Sequence, residues 1–275
     1  MSQTIRIRRF SRLDRVFHLI LMLTFLAQSA TGFGRMLINT PWGKTLCGIF
    51  GGYETAALIH HWVGGIMIAG FLLHGLVLLS KIDWRHPWKS LFGPDSLVPN
   101  LQDARHLWQR ILWFLGLGGA PKLERWAYWE KFDYWAVFWG LPLLAITGIA
   151  LIYPMWASAF LPGWALNIAA LLHRAEAVLA VSYIFIVHFF IGHVRPSSFP
   201  MNQAMFAGSV PLEEAIEEKP AWVERLRKEG KLEEVAARPP ALWYKVVYFV
   251  FGYSALLFGV YLLVFGIIYS PSIRW

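Results

Sequence analysis

The sequence predicts an all-α membrane protein, a bundle of five spanning helices. Three observations predict it. First, 57% of the 275 residues are hydrophobic and 15% are charged, whereas soluble domains carry about 25% charged residues. Second, five apolar stretches reach the roughly 20 residues that a membrane crossing needs. Third, the Lys and Arg residues fall in alternate connections. Such a composition excludes a disordered chain, a coiled coil and a disulfide-stapled secreted domain. The single cysteine, Cys47, excludes an intrachain disulfide, a Cys-ligated iron–sulfur cluster and a C-x-x-C-H haem attachment site.

The spans are expected at 16–33, 57–80, 134–153, 166–192 and 246–269. The first has a basic start, an apolar run and small residues at Ala27–Ala30, as signal peptides do. It is read as retained. The fourth is longer than a crossing requires. Residues 81–133 hold Trp84, Trp88, Trp108, Trp113, Trp126 and Trp129, and Leu107–Gly118 reads as an interfacial helix rather than a span. Residues 194–244 alternate acidic and basic runs, EEAIEEKP and then ERLRKEGKLEE, and read as a solvated cytoplasmic extension. The expected organisation is therefore 1–193 as a four-span bundle with the Trp-rich segment 81–133, 194–244 as the extension, and 245–275 as the fifth span and a short tail.

Lys and Arg set the expected orientation. Five lie in 1–15, eight in 81–133 and eight in 194–245. Only Arg35 and Lys44 follow the first span, none follows the third, and Arg274 alone lies in the tail. By the positive-inside rule the N-terminus is cytoplasmic and the C-terminus periplasmic. The net charge of +8 thus reads as an orientation signal, not as a nucleic-acid footprint.

Ionisable groups inside spans are costly and point to function. Of nine histidines, seven lie within or at the ends of spans: His18, His60, His61, His74, His173, His188 and His193. His60 and His74 are 14 residues apart, about 40° short of four turns and about 21 Å along the axis. His61 misses that face. His173 and His188 are 15 apart, about 60° past four turns and about 22 Å along the axis. Two helices that each place a histidine near both membrane faces can hold two stacked haems by bis-imidazole ligation. His60 and His173 pair at the outer side. At the inner side His188 has two rivals for a partner, His18 and His74. Gly32, 14 residues from His18 and near its face, and Gly64 and Gly65, one turn from His60, would let a flat macrocycle approach the backbone.

These motifs resemble the b-type cytochrome membrane subunits of respiratory formate dehydrogenases and nickel–iron hydrogenases. The resemblance covers residues 5–235. Its carriers are R-x-x-H at Arg15–His18, Thr31-Gly32, H-x-x-x-G at His60–Gly64, the run Trp129–Gly140 leading into Leu143–Pro154, Leu171–Ala177 and Val187–Pro200. It implies a core four-helix haem-binding bundle with two haem b groups. His60 and His173 would ligate the outer haem, and His18 and His188 the inner one, with His74 as the alternative to His18. The sequence departs from the family in its fifth span, its long Trp-rich segment and the 15-residue spacing of its span-four histidines.

The implied function is electron transfer across the membrane between a quinone pool, menaquinone or ubiquinone, and a periplasmic iron–sulfur or multihaem cytochrome c subunit of a larger complex. The expected location is the bacterial cytoplasmic (inner) membrane. Glu130, Lys131 and Asp133, at the entry to the third span, match the family's polar stretch at its quinone pocket, with Asp133 handling protons. Arg12, Arg15 and Arg195 suit the propionates of the inner haem, and Arg174 those of the outer. Glu176 is expected to pair with an arginine. Two other readings compete: a histidine-relay proton channel or transporter, which midplane charge and broken helices would favour, and a haem-free anchor.

Overall fold

The computed structural model describes residues 5–273, so Arg274 of the tail lies outside the described residues. A short strand, β1 (Arg6–Arg8), precedes α1 (Arg12–Met36). The start of α1 is closed reciprocally: the Asp14 N–H donates to Ser11 Oγ at 3.2 Å and the Ser11 N–H to the Asp14 carboxylate at 2.9 Å. α2 (Pro41–Ile49) begins on Thr40, whose hydroxyl accepts from the Gly43 N–H at 3.0 Å. The chain then reverses through Gly51 and Gly52, at φ +85° and +106°, where a side chain would be strained. α3 (Tyr53–Ser80) follows.

α4 (Pro87–Phe92) and α5 (Leu101–Phe114) fill the Trp-rich segment. α5 starts on a capping box between Asn100 and Asp103. Next come α6 (Tyr128–Ile152), α7 (Pro154–Ala157) and α8 (Gly163–Tyr183), which continues through two π-helical turns, Ile184–His188 and Phe190–Val194. α9 (Ala204–Ala207), β2 (Ser209–Pro211), α10 (Leu212–Glu218), α11 (Pro220–Lys228), β3 (Ala236–Ala237) and α12 (Leu242–Tyr269) complete the order. Five helices are long and apolar enough to cross a membrane: α1, α3, α6, α8 with its extension to Val194, and α12. The five expected spans are present, and helix runs past the predicted limits because capping groups and aromatic belts extend it beyond the apolar run.

Two compact units divide the chain. One comprises residues 16–74, 139–202 and the chain from 246 onward. Its core joins Ala30, Phe33 and Leu37 of the first span and Trp42 and Leu46 of α2 to Val181, Phe185, Leu262 and Ile273. The fifth span is part of this core. Its buried residues are Tyr248, Gly252, Gly259, Leu262 and Gly266, and the three glycines among them let neighbouring helices close in. A Cβ on Gly259 would stand 2.7 Å from the Phe189 ring and 2.8 Å from the Phe185 ring, and one on Gly266 would stand 3.1 Å from the Phe33 ring. The indole of Trp42 donates to the Tyr261 hydroxyl at 2.9 Å.

The other unit comprises the N-terminal 15 residues, 75–138 and 203–245. β1 lies between β2 and β3 in an antiparallel sheet, with Ile7 opposite Val210 on one side and Ala236 on the other. Ile7, Ala204, Val210, Ala215, Trp222, Val223 and Leu226 form a core of their own. The charged segment is therefore folded into this unit rather than being a solvated extension. Its acids and bases face outward or into ion pairs, while α11 turns Trp222, Val223 and Leu226 inward. Three charged groups meet within the same unit: Glu130 lies 2.5 Å from Arg9 and 2.7 Å from Lys219, and both cations are almost fully buried. Burial pulls the Lys219 ammonium down to about 8, against the upward pull of Glu130.

Candidate metal centres

Imidazoles from different helices meet within the bundle unit, while the neighbouring rings of His60 and His61 stand 6.4 Å apart on one helix. His60 of α3 and His173 of α8 face each other with ring centres 6.4 Å apart and planes at 70°. His18 of α1 and His188 of the first π turn stand at the same 6.4 Å, with planes at 36°. A metal–imidazole nitrogen bond is about 2 Å, and the ring nitrogen sits about 1 Å from the ring centre, so two rings trans on one metal stand about 6 Å apart. Both pairs have that spacing. Among the described residues no group of three or more His, Cys, Asp or Glu side chains gathers to hold an ion by itself. Each pair offers two imidazole nitrogens, a donor set that a metal with further ligands of its own would fit.

The second pair depends on the π turn. Fifteen α-helical steps carry His188 about 60° past the face of His173. A π turn advances less per residue and absorbs one extra residue within a helix. Ile184–His188 does this immediately before the ring is presented. The His74 ring lies edge-on to Phe17 at 4.9 Å.

The His60 pair is seated from behind by residues whose role the sequence does not disclose. Thr31 Oγ1 lies 2.9 Å from His60 Nδ1, and Thr147 Oγ1 lies 3.0 Å from His173 Nδ1. The next residue in each case is a glycine. A Cβ on Gly32 would meet His60 Cε1 at 3.4 Å, and one on Gly148 would meet His173 Cε1 at 3.2 Å. Gly32, 14 residues along α1 from His18, therefore lies against His60. Gly64 lies against the Gln28 side chain, and Gly65 meets nothing within 4 Å. Arg35, one turn past Thr31, lies over the Tyr53 ring at 5.6 Å. Its Nε is buried with no hydrogen-bond partner among the described residues, a donor left for an anionic group.

No family model matches the chain. It is 25% identical over 229 residues to the formate dehydrogenase cytochrome b556(fdo) subunit of Escherichia coli strain K12, a match covering 83% of this chain and 97% of that protein. The proteins of the same name from Escherichia coli O6:H1 and O157:H7 match equally. The chain is thus similar, over most of its length, to proteins named formate dehydrogenase cytochrome b556(fdo) subunit. This agrees with the resemblance expected from the motifs.

The other predicted residues fall into three groups. Glu130 holds Arg9 and Lys219 and also accepts from the Ala127 N–H at 2.8 Å, closing the first turn of α6. Lys131 is buried and pairs with Asp103 of α5 at 2.9 Å. Asp133 is half-buried on the next turn of α6. Of the arginines, Arg15 donates to the Tyr244 hydroxyl at 2.6 Å, Arg195 lies 3.4 Å from the Ser198 hydroxyl, and Arg174 is exposed. Glu176 does not meet the expected arginine: its carboxylate packs on α6, where a Cβ on Gly140 would stand 2.7 Å from Oε1. The Thr-Gly seats are hard to find in the sequence because a threonine within a helix commonly bonds back to its own backbone. Their repetition in Thr31-Gly32 and Thr147-Gly148 is the signal that finds them.

Proposed function

We propose that this chain is a di-haem membrane cytochrome b that passes electrons across the membrane between a quinone pool and a redox partner subunit of a larger complex. The observation that carries the reading is the equality of two imidazole pairs, each at 6.4 Å, separated along α8 by 15 residues, or about 22 Å. Similarity over almost the whole length of proteins named formate dehydrogenase cytochrome b556 subunit supports both the haem type and the larger complex. Haem b held between two imidazoles supplies one-electron exchange at its iron.

The chain's own residues do the rest. His60 and His173 hold one haem, and His18 and His188 hold the other. Arg35 and Arg174 offer positive charge to propionates at the His60 end, and Arg12, Arg15 and Arg195 do so at the His18 end. The distribution of Lys and Arg supports an N-terminus in the cytoplasm and a C-terminus in the periplasm of a bacterial inner membrane. The His60 end then faces a periplasmic iron–sulfur or multihaem subunit, and the His18 end faces the quinone. Glu130 and Lys131 are committed to ion pairs. Asp133, one turn further along α6, is the group we assign to proton exchange with menaquinone or ubiquinone, from its place in the Glu130–Asp133 stretch that matches the family's polar stretch.

The test is direct reduction by a quinol. Purified protein in detergent is mixed with a reduced short-chain quinone and followed in the visible spectrum. Reduced b-type bands should grow, and Asp133→Asn should slow them while leaving the dithionite-reduced spectrum unchanged. Bands that appear with dithionite and never with a quinol would remove the quinone from this account.

A further inference from the structure

The bis-imidazole reading of His60 and His173 leaves the protonation pattern of these rings to be decided, and the two threonines decide it. Thr31 Oγ1 lies 2.7 Å from the Ala27 carbonyl oxygen, and Thr147 Oγ1 lies 2.7 Å from the Leu143 carbonyl oxygen, each four residues back in its own helix. A hydroxyl has one proton to donate and two lone pairs that accept. A carbonyl oxygen only accepts, so the threonine proton is directed to it. What Oγ1 turns to the histidine is a lone pair. Across 2.9 Å and 3.0 Å, Nδ1 must therefore carry the ring proton. Nε2, on the other side of the ring, is left with its lone pair free.

Both hydroxyls are shut away from solvent: Thr31 is 0% exposed and Thr147 5%. No bulk water competes for either bond. The glycine after each threonine completes the seat by leaving room for Cε1, the atom between the two nitrogens. The seats come from different helices, α1 behind His60 and α6 behind His173. One dipeptide thus does the same task twice, on the two sides of one metal position.

We propose that Thr31 and Thr147 are positioning residues that fix the Nδ1–H tautomer of His60 and His173, present Nε2 to the iron, and lower the potential of that haem by making both imidazoles stronger donors. The proposal rests on the haem reading above. The physical reason is general: a hydrogen bond accepted from the far nitrogen orients a metal-bound imidazole and raises its basicity, and its loss weakens metal binding about 10- to 100-fold. Electron-rich ligands favour the oxidised iron, so losing the bond moves the midpoint upward. His18 and His188 form the other pair and should not respond.

The experiment uses the full chain in detergent, as Thr31→Val, Thr147→Val, the double variant, and Thr31→Ser and Thr147→Ser. Valine keeps the branched shape and loses the oxygen; serine keeps the oxygen. Haem per chain, an optical redox titration and the low-spin ferric EPR signal are recorded for each. The expected result is that each valine variant raises one of two midpoints and changes one of two EPR signals. The double variant should hold that haem about 10- to 100-fold more weakly, and serine should restore the original values. Unchanged midpoints and signals in the valine variants overturn the proposal. So does a haem loss that serine fails to repair, because that loss reports packing and not the hydroxyl. A wild-type protein that binds no haem overturns the functional reading itself, a failure visible before any variant is made.

Discussion

His18 and His188 stand 6.4 Å apart, ring centre to ring centre, on α1 and on a π turn of the fourth span. The separation equals that of His60 and His173, although one pair draws its second ring from α1 and the other from α3. His74, the rival that sequence spacing leaves open, lies edge-on to Phe17 at 4.9 Å.

Single removal of the two rivals should therefore have opposite results. His18→Ala is expected to lose one haem per chain, leaving a bare His188. His74→Ala is expected to keep both. A pyridine haemochrome assay of each purified variant checks this, and loss of haem from His74→Ala with retention in His18→Ala would reverse the assignment.

The two pairs differ in tilt, with ring planes at 70° in one and 36° in the other. The relative orientation of axial imidazoles governs the splitting of the ferric iron's d orbitals. Two distinct low-spin EPR signals are expected, the more anisotropic from the His60 pair, and His18→Ala should leave that one in place. A single signal accounting for all the iron would contradict the tilts.

Glu130 is a clamp between Arg9 and Lys219. Removing the shared carboxylate leaves two buried cations without their counter-charge, which costs about 3 kcal/mol or more. Glu130→Ala should lower the unfolding temperature of the unit that holds the three-stranded sheet and expose 200–240 to limited proteolysis. If Glu130→Ala changes quinol reduction alone and leaves proteolysis unaltered, Glu130 belongs to the quinone site instead.

The fifth span closes on Phe185 and Phe189 through Gly259, where even a methyl group would come within 2.7 Å of a ring carbon. Overpacking of this kind costs about 1–3 kcal/mol. Gly259→Ala should lower the thermal stability of the detergent-solubilised protein. Gly65→Ala, at a glycine with nothing within 4 Å, should leave it unchanged.

Much of this architecture is legible in the sequence because the membrane makes polar residues conspicuous. His60, His173 and His188 stand out against apolar runs, and near-four-turn spacing pairs His60 with His74 and brings His173 and His188 to within about 60° of one face. The choice between His18 and His74 is not legible, since both lie near the same membrane side and only packing separates them. Nor is the extra residue before His188, because a π turn has no sequence signature as short as one residue. The folding of the charged segment is hidden for another reason. On α11 the apolar face is only Trp222, Val223 and Leu226, too short a period to read among nine residues that also carry Glu224, Arg225, Arg227 and Lys228.

The central claim, two bis-imidazole b haems in one chain, is tested most directly by quantifying haem against protein in the purified wild type. Pyridine haemochrome absorbance set against amino-acid analysis should give two non-covalent b haems per chain, both low-spin in the oxidised state. One haem per chain, or none, would contradict the account.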